Sequence, residues 1–412
     1  MTRISTVIIG AGQCGLAMSR CLSRRAVDHI VLERGRVANS WRTERWDSLR
    51  LLTPNWQTGL PDDPYRGAAP DAYMSMPELT ARLERYAARI DAPVQTGTEV
   101  LAVHGEAGGY RVETTRGVFR CANVVMASGA CNIANVPALA AEMPLRVRSF
   151  TPMSYKRPGD LPDGGVLIVG ASASGVQIAR EVQASGRPVT LAVGEHVRVP
   201  RSYRGRDIQR WMQALGLLDQ RWDAVDDLAR VRRTPSLQLA GGGLWRTLDL
   251  NALTDSGVRI AGRLVGVRAG KAQFSGSLAN LCAAADLKMN RLLEAIDAHV
   301  DAARLAHLVG PQRQFAATRV PAEPMLDLDL DAVGSVIWAT GYRPDYSWLH
   351  LPVTDRKGRL RHDGGVLDAP GLYAMGLPFM RKRKSTLIDG AGDDAEALAE
   401  HLLARSTRRL AA

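Results

Sequence analysis

The 412-residue chain is poor in the residues that several functional classes require. It has five cysteines, Cys14, Cys21, Cys121, Cys131 and Cys282, and no two of them stand in a C-x-x-C pair. That scatter excludes a disulphide framework, a close dithiol redox centre and a zinc-ligand cluster. Aromatic residues make up 5% of the chain and show no stacking pattern, so the formal charge of +11 does not read as a nucleic-acid surface. A surface field suited to polyanionic cofactors accounts for it. No uninterrupted apolar run approaches the ~20 residues that span a bilayer, and the first residues lead directly into an apolar strand. The expectation is a cytoplasmic protein without leader peptide or membrane anchor. Neither a nucleophilic triad nor a pair of carboxylates at catalytic spacing is legible.

What is present is a duplicated motif. Hydrophobic residues at 46% and charged residues at 23% describe a globular chain long enough for two cores. Val7-Ile8-Ile9 reads as a buried parallel strand. It runs into Gly10-Ala11-Gly12-Gln13-Cys14-Gly15 and then a helical stretch from Leu16. The first glycine makes the tight turn, the second admits a pyrophosphate to the backbone, and the third lets helix and strand pack closely. The helix N-terminus adds partial positive charge. The next strand, His29–Leu32, ends in Glu33 and Arg34. A carboxylate there accepts hydrogen bonds from ribose hydroxyls and repels a 2′-phosphate, which suits FAD or NAD and not NADP; with a second unit for the hydride donor, FAD falls to this one.

Gly164–Val169 is a second such strand, followed by Gly170-Ala171-Ser172-Ala173-Ser174-Gly175, a helix and the strand Pro188–Val193. Ser172 replaces the middle glycine and offers a hydroxyl to phosphate. Arg198, Arg201, Arg204 and Arg206 follow the strand, and Arg198 and Arg201 are the expected bidentate clamp for a 2′-phosphate. Glu195 is what an NADH site would use, so the two signals conflict; NADPH is the expectation.

Two more strands end in small, close-approach turns, Ala127-Ser128-Gly129 and Ala339-Thr340-Gly341, one before and one after the second unit. Gly376-Leu377-Pro378 closes a late strand. Beyond it Ile388–Ala395 opens a helix whose N-terminus suits the pyrimidine edge of a flavin. The basic run Arg381–Lys384 lies in the connecting loop and reads either as a flavin contact or as a solvated loop. These elements predict an α/β chain of two Rossmann-like units: a discontinuous FAD domain (1–160 and 334–412) and an inserted NAD(P)H domain (161–333). Within the insert, 277–308 reads as an amphipathic helix. Lys288 or Arg291 on it is a candidate contact to an acidic substrate or to the cofactor.

The order of these motifs resembles the flavin-containing monooxygenases and their bacterial relatives, which are related to plant indole-pyruvate monooxygenases. The resemblance spans essentially the whole chain. It includes Ser40-Trp41-Arg42, the stretch Trp46–Trp56, both glycine turns, Ala339–Asp345 and the Gly376-Leu377 ending. It implies that NADPH reduces FAD and that a flavin C4a-hydroperoxide then passes one oxygen atom of O₂ to a small organic substrate. It also places Trp41 and Arg42 beside the cofactor, and Thr53 and Asn55 near the reactive edge. The histidine that the family carries before its second strand is missing from Arg148–Tyr155, so the type of oxygenation stays open. Two alternatives remain: a nicotinamide-dependent flavin reductase or oxidase that inserts no oxygen, and a flavin-bound binding protein without turnover. A homodimer is the expected assembly, with no nucleic-acid, membrane or metal partner.

Overall fold

The computed structural model describes residues 2–242 and 247–411. Strand Thr2–Ile9, buried from Thr6 onward, lies between His29–Leu32 and Gly117–Met126 in parallel register, with Ile8 opposite Val31 and Val125. Around this centre a ten-stranded sheet forms. An antiparallel meander (100–126) closes one side and Val94–Gln95 the other. The late strand Leu372–Ala374 pairs parallel to Gly117–Met126, so the C-terminal segment returns to the first sheet. The second sheet has five strands, all parallel, in the order Arg259–Ala261, Val189–Ala192, Gly165–Val169, Val333–Trp338, Arg148–Phe150.

Sheet membership departs from the motif-based boundaries. Arg148–Phe150 and nearly all of Val333–Trp338 fall outside 161–333, yet both pair in the second sheet. Of the two apolar strands at the crossings, the one before the second unit stays in the first sheet, whereas Val333–Trp338 supplies a strand of the second, whose edge is Arg148–Phe150. We propose dividing the chain by sheet, with the second unit running from Arg148 to Trp338.

The segment expected to be helical is a helix from Leu278 to Ala302, followed by a separate 3₁₀ turn at Ala306–Leu308. Its buried face is Leu278, Cys282, Ala285, Met289, Leu293, Ile296 and Val300, spaced by three and four residues as a helix requires. Its second half packs on Val199, Tyr203, Ile208 and Trp211, forming a core of its own. Among the described residues no helix is long and apolar enough to cross a membrane.

The two glycine turns are superimposable in their steric logic. Gly10 has φ +106° and Gly170 φ +108°; a Cβ on either would strike a neighbouring carbonyl, that of Ala127 at 2.6 Å or Ala339 at 2.4 Å. A Cβ on Gly15 would lie 1.9 Å from the Gly10 carbonyl oxygen, and one on Gly175 would lie 1.8 Å from that of Gly170. Gly12 differs: a Cβ there meets nothing within 4 Å, and its φ of −83° suits any residue. Gly15→Ala is therefore expected to abolish folding or lower Tm steeply, whereas Gly12→Ala keeps the wild-type Tm without cofactor and loses flavin retention. Thermal melts and flavin content after gel filtration check both.

Candidate cofactor and active site

The first sheet's strands deliver their carboxyl ends to a cleft bordered by Gly10, Gly12, Gln13, Cys14, Glu33, Ala127 and Gly129. Glu33 is buried and fixed: one carboxylate oxygen accepts the Ala11 N–H at 2.9 Å and the other the Gly35 N–H at 2.9 Å. A carboxylate has about four acceptor positions, so capacity remains for ribose hydroxyls. The helix Gln13–Ser23 starts at Gly12 without a side-chain cap and with no acid in its first turn, which leaves its N–H groups directed at the cleft. Trp41 borders the cleft and donates its indole N–H to Gln13 at 3.0 Å, while the Arg45 guanidinium lies over its ring at 5.2 Å. Opposite them, Gly376 approaches so closely that a Cβ would sit 2.8 Å from the Cys14 sulphur.

The start of the helix Gly390–Ala411 packs against Pro61, where a Cβ on Gly392 would touch the proline ring at 3.5 Å. Among the described residues, buried polar atoms that lack partners include Asn55 Oδ1, both side-chain polar atoms of Gln57, Asp389 Oδ1 and Asp394 Oδ2. Each such atom costs about 1–3 kcal/mol when left unsatisfied. Burial above all pushes the Asp389 and Asp394 carboxyls up to about 6, against Lys384 at the first and Ser385 at the second. The Cys14 thiol is also pushed up to about 12, mainly by burial and then by Asp394.

In the second unit the helix Ala173–Ala184 begins at Ser172, whose hydroxyl caps nothing and is available to a phosphate. Gln238, fully buried, donates to the Ala171 carbonyl at 2.7 Å and leaves its own carbonyl oxygen unpartnered beside the turn. At the exit of strand Val189–Ala192, Glu195 pairs with Lys288 at 3.3 Å, and a Cβ on Gly194 would lie 3.9 Å from Arg263. The two crossings between units are joined: Asn135 N–H donates to the Gly341 carbonyl at 2.9 Å, the Thr340 hydroxyl donates to the Asn135 carbonyl, and Tyr342–Arg343 pairs with Ile133–Ala134.

A family model for pyridine nucleotide-disulphide oxidoreductases matches residues 7–214, which contain the first glycine turn and the strand, turn and helix of the second. The chain belongs to that family. Across 403 residues the oxidoreductase is 31% identical to an uncharacterised CzcO-like oxidoreductase of Geobacillus kaustophilus, covering 97% of this chain and 98% of the relative. An indole-3-pyruvate monooxygenase of rice (Oryza sativa subsp. japonica) is 29% identical over 286 residues, 66% of this chain and 69% of that one. A flavin-containing monooxygenase from Stenotrophomonas maltophilia shares the fold, with a TM-score of 0.67 at 19% identity over 98% and 99% of the two chains. The kinship read from the motifs is borne out, and so is the two-unit α/β fold.

Several expected contacts of the oxidoreductase need correction. Arg198 and Arg201 do not stand free at the second turn. Arg198 is buried against Asp249 and Asp286, each at 2.7 Å, and Arg201 against Asp207, with a further bond to the Leu52 carbonyl at 2.7 Å. Arg204 is held likewise by Asp297 at 3.0 Å. Arg42 turns to Glu84 at 2.7 Å, and Arg45 takes its place at the cleft. Arg34 borders the cleft but is paired with Glu44. Leu377 is buried in the main core rather than facing the cleft, and Thr53 is buried nearby. Lys382 and Lys384 are neither free nor at the cleft, being bound to Asp219 and Asp393. Gln238, Arg263, Arg45 and Gln57 were not expected. Each reaches its place through tertiary contact, and no local motif marks it.

Two outcomes follow. Arg201→Ala strands a buried Asp207 and is expected to cost about 3–5 kcal/mol, seen as a lower urea midpoint, with no change in NADPH-over-NADH preference. Asp394 titrates above the ordinary carboxyl value of 3.8 in the folded state. It therefore lowers stability at pH values above about 6, and this cost fades as pH falls toward 3.8. Asp394→Asn in protein stripped of flavin should raise Tm near neutral pH and leave it unchanged in acid, as a melt series across pH would record.

Proposed function

We propose that this oxidoreductase is an FAD- and NADPH-dependent monooxygenase that places one oxygen atom of O₂ on a small organic substrate. The duplicated turn is the observation that carries this reading. One cleft has a buried carboxylate, Glu33, fixed by two backbone N–H groups, a second turn carries an uncapped Ser172 hydroxyl, and the two crossings between the units are tied through Asn135 and Gly341. FAD, when bound, would accept a hydride from NADPH and activate O₂. Gly12 and the helix N-terminus behind it hold the pyrophosphate, and Glu33 orients the ribose. Asn55, assigned to the reactive edge by family resemblance, has its amide nitrogen tied to the Ala69 carbonyl at 2.9 Å and its Oδ1 without a partner. Thr53, buried beside it, excludes water. Few acid–base groups are needed for this chemistry, in keeping with the absence of a triad.

With Arg198 and Arg201 committed inside, the 2′-phosphate of NADPH falls to Arg263 and Lys288, the cations at the strand exit. Arg263→Ala should raise the KM for NADPH about tenfold or more, the scale of a charge-assisted hydrogen bond, and leave NADH unchanged. Loss of 2′,5′-ADP binding by calorimetry should accompany it. Equal KM values for wild type and variant would remove the assignment.

A second reading, nicotinamide-driven reduction of a small disulphide without oxygen insertion, is favoured by one observation: Cys14 borders the cleft. A thiol pushed up to about 12 is a poor nucleophile at neutral pH. Cys14→Ser decides between the two. The monooxygenase reading expects unchanged NADPH-driven flavin bleaching and unchanged O₂ uptake, and the reductase reading expects loss of turnover.

A further inference from the structure

A second pocket lies against Asn55, outside the cofactor cleft, and its lining is strongly basic. It measures about 820 Å³ and is bordered by Arg50, Arg66, Arg82, Arg85 and Arg89, against only two carboxylates, Asp63 and Glu78. This falls within the ~300–1,000 Å³ usual for small-molecule sites. One wall is the helix Met76–Arg89, where Glu78, Ala81, Arg82, Arg85 and Arg89 share a face at spacings of three and four. The small side chain of Ala81 opens room in the middle of that face. The other wall is the loop from Asp63 to Ala72, rich in alanine, glycine and proline.

The two carboxylates are already engaged. Asp63 takes Arg82 at 2.9 Å and Arg89 at 2.7 Å, and Glu78 lies 3.7 Å from Arg50 while capping its own helix through Ser75. Arg66 and Arg85 have no such partner among the described residues. Like charges at this helical spacing destabilise a helix, and burial, together with the Arg89 and Arg85 charges, pushes the Arg82 guanidinium down while Asp63 opposes them. Arg66 and Arg85, two cations on one pocket without counter-charges, point to an anion supplied from outside. At the inner end Asn55 donates to the Tyr65 oxygen at 3.4 Å, so the Tyr65 hydroxyl proton is free to be given to a ligand.

We propose that this pocket binds a small organic acid, with its carboxylate held by Arg66 and Arg85 and its apolar body against Tyr65, Ala81 and the neighbouring proline and alanine surface. As a site for the substrate it rests on the monooxygenase reading above; as an anion site it stands without it. Guanidinium groups fit a carboxylate bidentately and remain charged at any working pH.

The test uses the FAD-loaded full chain and two isosteric probes, benzoate and neutral benzamide. Calorimetry should show benzoate binding and benzamide binding at least about tenfold more weakly, the scale of a hydrogen bond to a charged group. Arg66→Ala and Arg85→Ala should each weaken benzoate about tenfold, and Arg85→Lys should recover part of the loss. Both alanine variants should keep wild-type flavin content and Tm, since both side chains are exposed. Equal affinity for the two probes, or alanine variants that bind benzoate as wild type does, would overturn the anion site. If benzoate binds but leaves NADPH-dependent O₂ uptake unchanged, the substrate role is overturned. If no O₂ uptake occurs under any condition while benzoate still binds through Arg66 and Arg85, the monooxygenase reading fails and the anion site holds.

Discussion

The structure depends on one close approach made twice: a helix pressed so tightly onto the strand before it that only glycine fits between them. At Gly15 and Gly175 a single added carbon would sit inside a carbonyl oxygen. That contact fixes the start of each helix directly beyond the end of its strand, so that uncapped N–H groups face a cleft instead of solvent. Everything placed around a phosphate follows from it. Glu33 can reach a ribose only because Ala11 and Gly35, one within the turn and one past the next strand, both donate to it. The constraint is steric before it is electrostatic. Anion affinity comes from a backbone end whose position the packing has already settled.

The same local character explains what could be read from the chain. A strand, a glycine turn, a helix and a following acid are successive along the sequence, and their geometry is set by neighbours within about thirty residues. The Gly10–Gly15 and Gly170–Gly175 turns, the acid Glu33 beside the first, and the positive-φ turn glycines 129 and 341 were legible for that reason. Arg198 and Arg201 misled because an arginine after a strand has the same appearance whether its partner is a phosphate or a distant aspartate. Asp249, Asp286 and Asp207 lie 51, 88 and 6 residues away, and only folding brings them together. The proposed division by sheet differs from the motif-based one for a related cause. A buried parallel strand is equally apolar in either sheet, so Val333–Trp338 carried no mark of which one it would join.

Those buried arginines have a structural purpose that a phosphate clamp would not. Arg201 binds the Leu52 carbonyl and lies 4.6 Å over the Tyr73 ring, while Tyr73 donates to Asp207. Arg210 pairs with Asp71 at 2.7 Å, and Ser48 donates to Glu181 at 2.7 Å. All of these ties run between the second unit and the segment 48–73 of the first. Removing a buried charge pair from water is expensive, and an apolar replacement is often as stable. What directional bonds supply, and an apolar contact does not, is a defined register between two separately folded sheets.

That register matters because the segment it fastens carries Thr53 and Asn55, and Asn55 also lines the arginine-rich pocket. Hydride transfer between two dinucleotides held by different sheets demands that reacting atoms approach to about 3–3.5 Å, and a misplacement of about 1 Å is costly. A flexible hinge at the junction could not hold such a separation. Charged and hydrogen-bonded ties on both flanks of Asn55, combined with the paired crossings at Asn135 and Gly341, leave little freedom for the units to slide. Orphaned atoms remain at the inner end of this braced segment because bracing prevents them from turning to other partners. The stability lost by keeping Gln57 and Asn55 Oδ1 unsatisfied is thus the counterpart of a segment held in one arrangement between the two units.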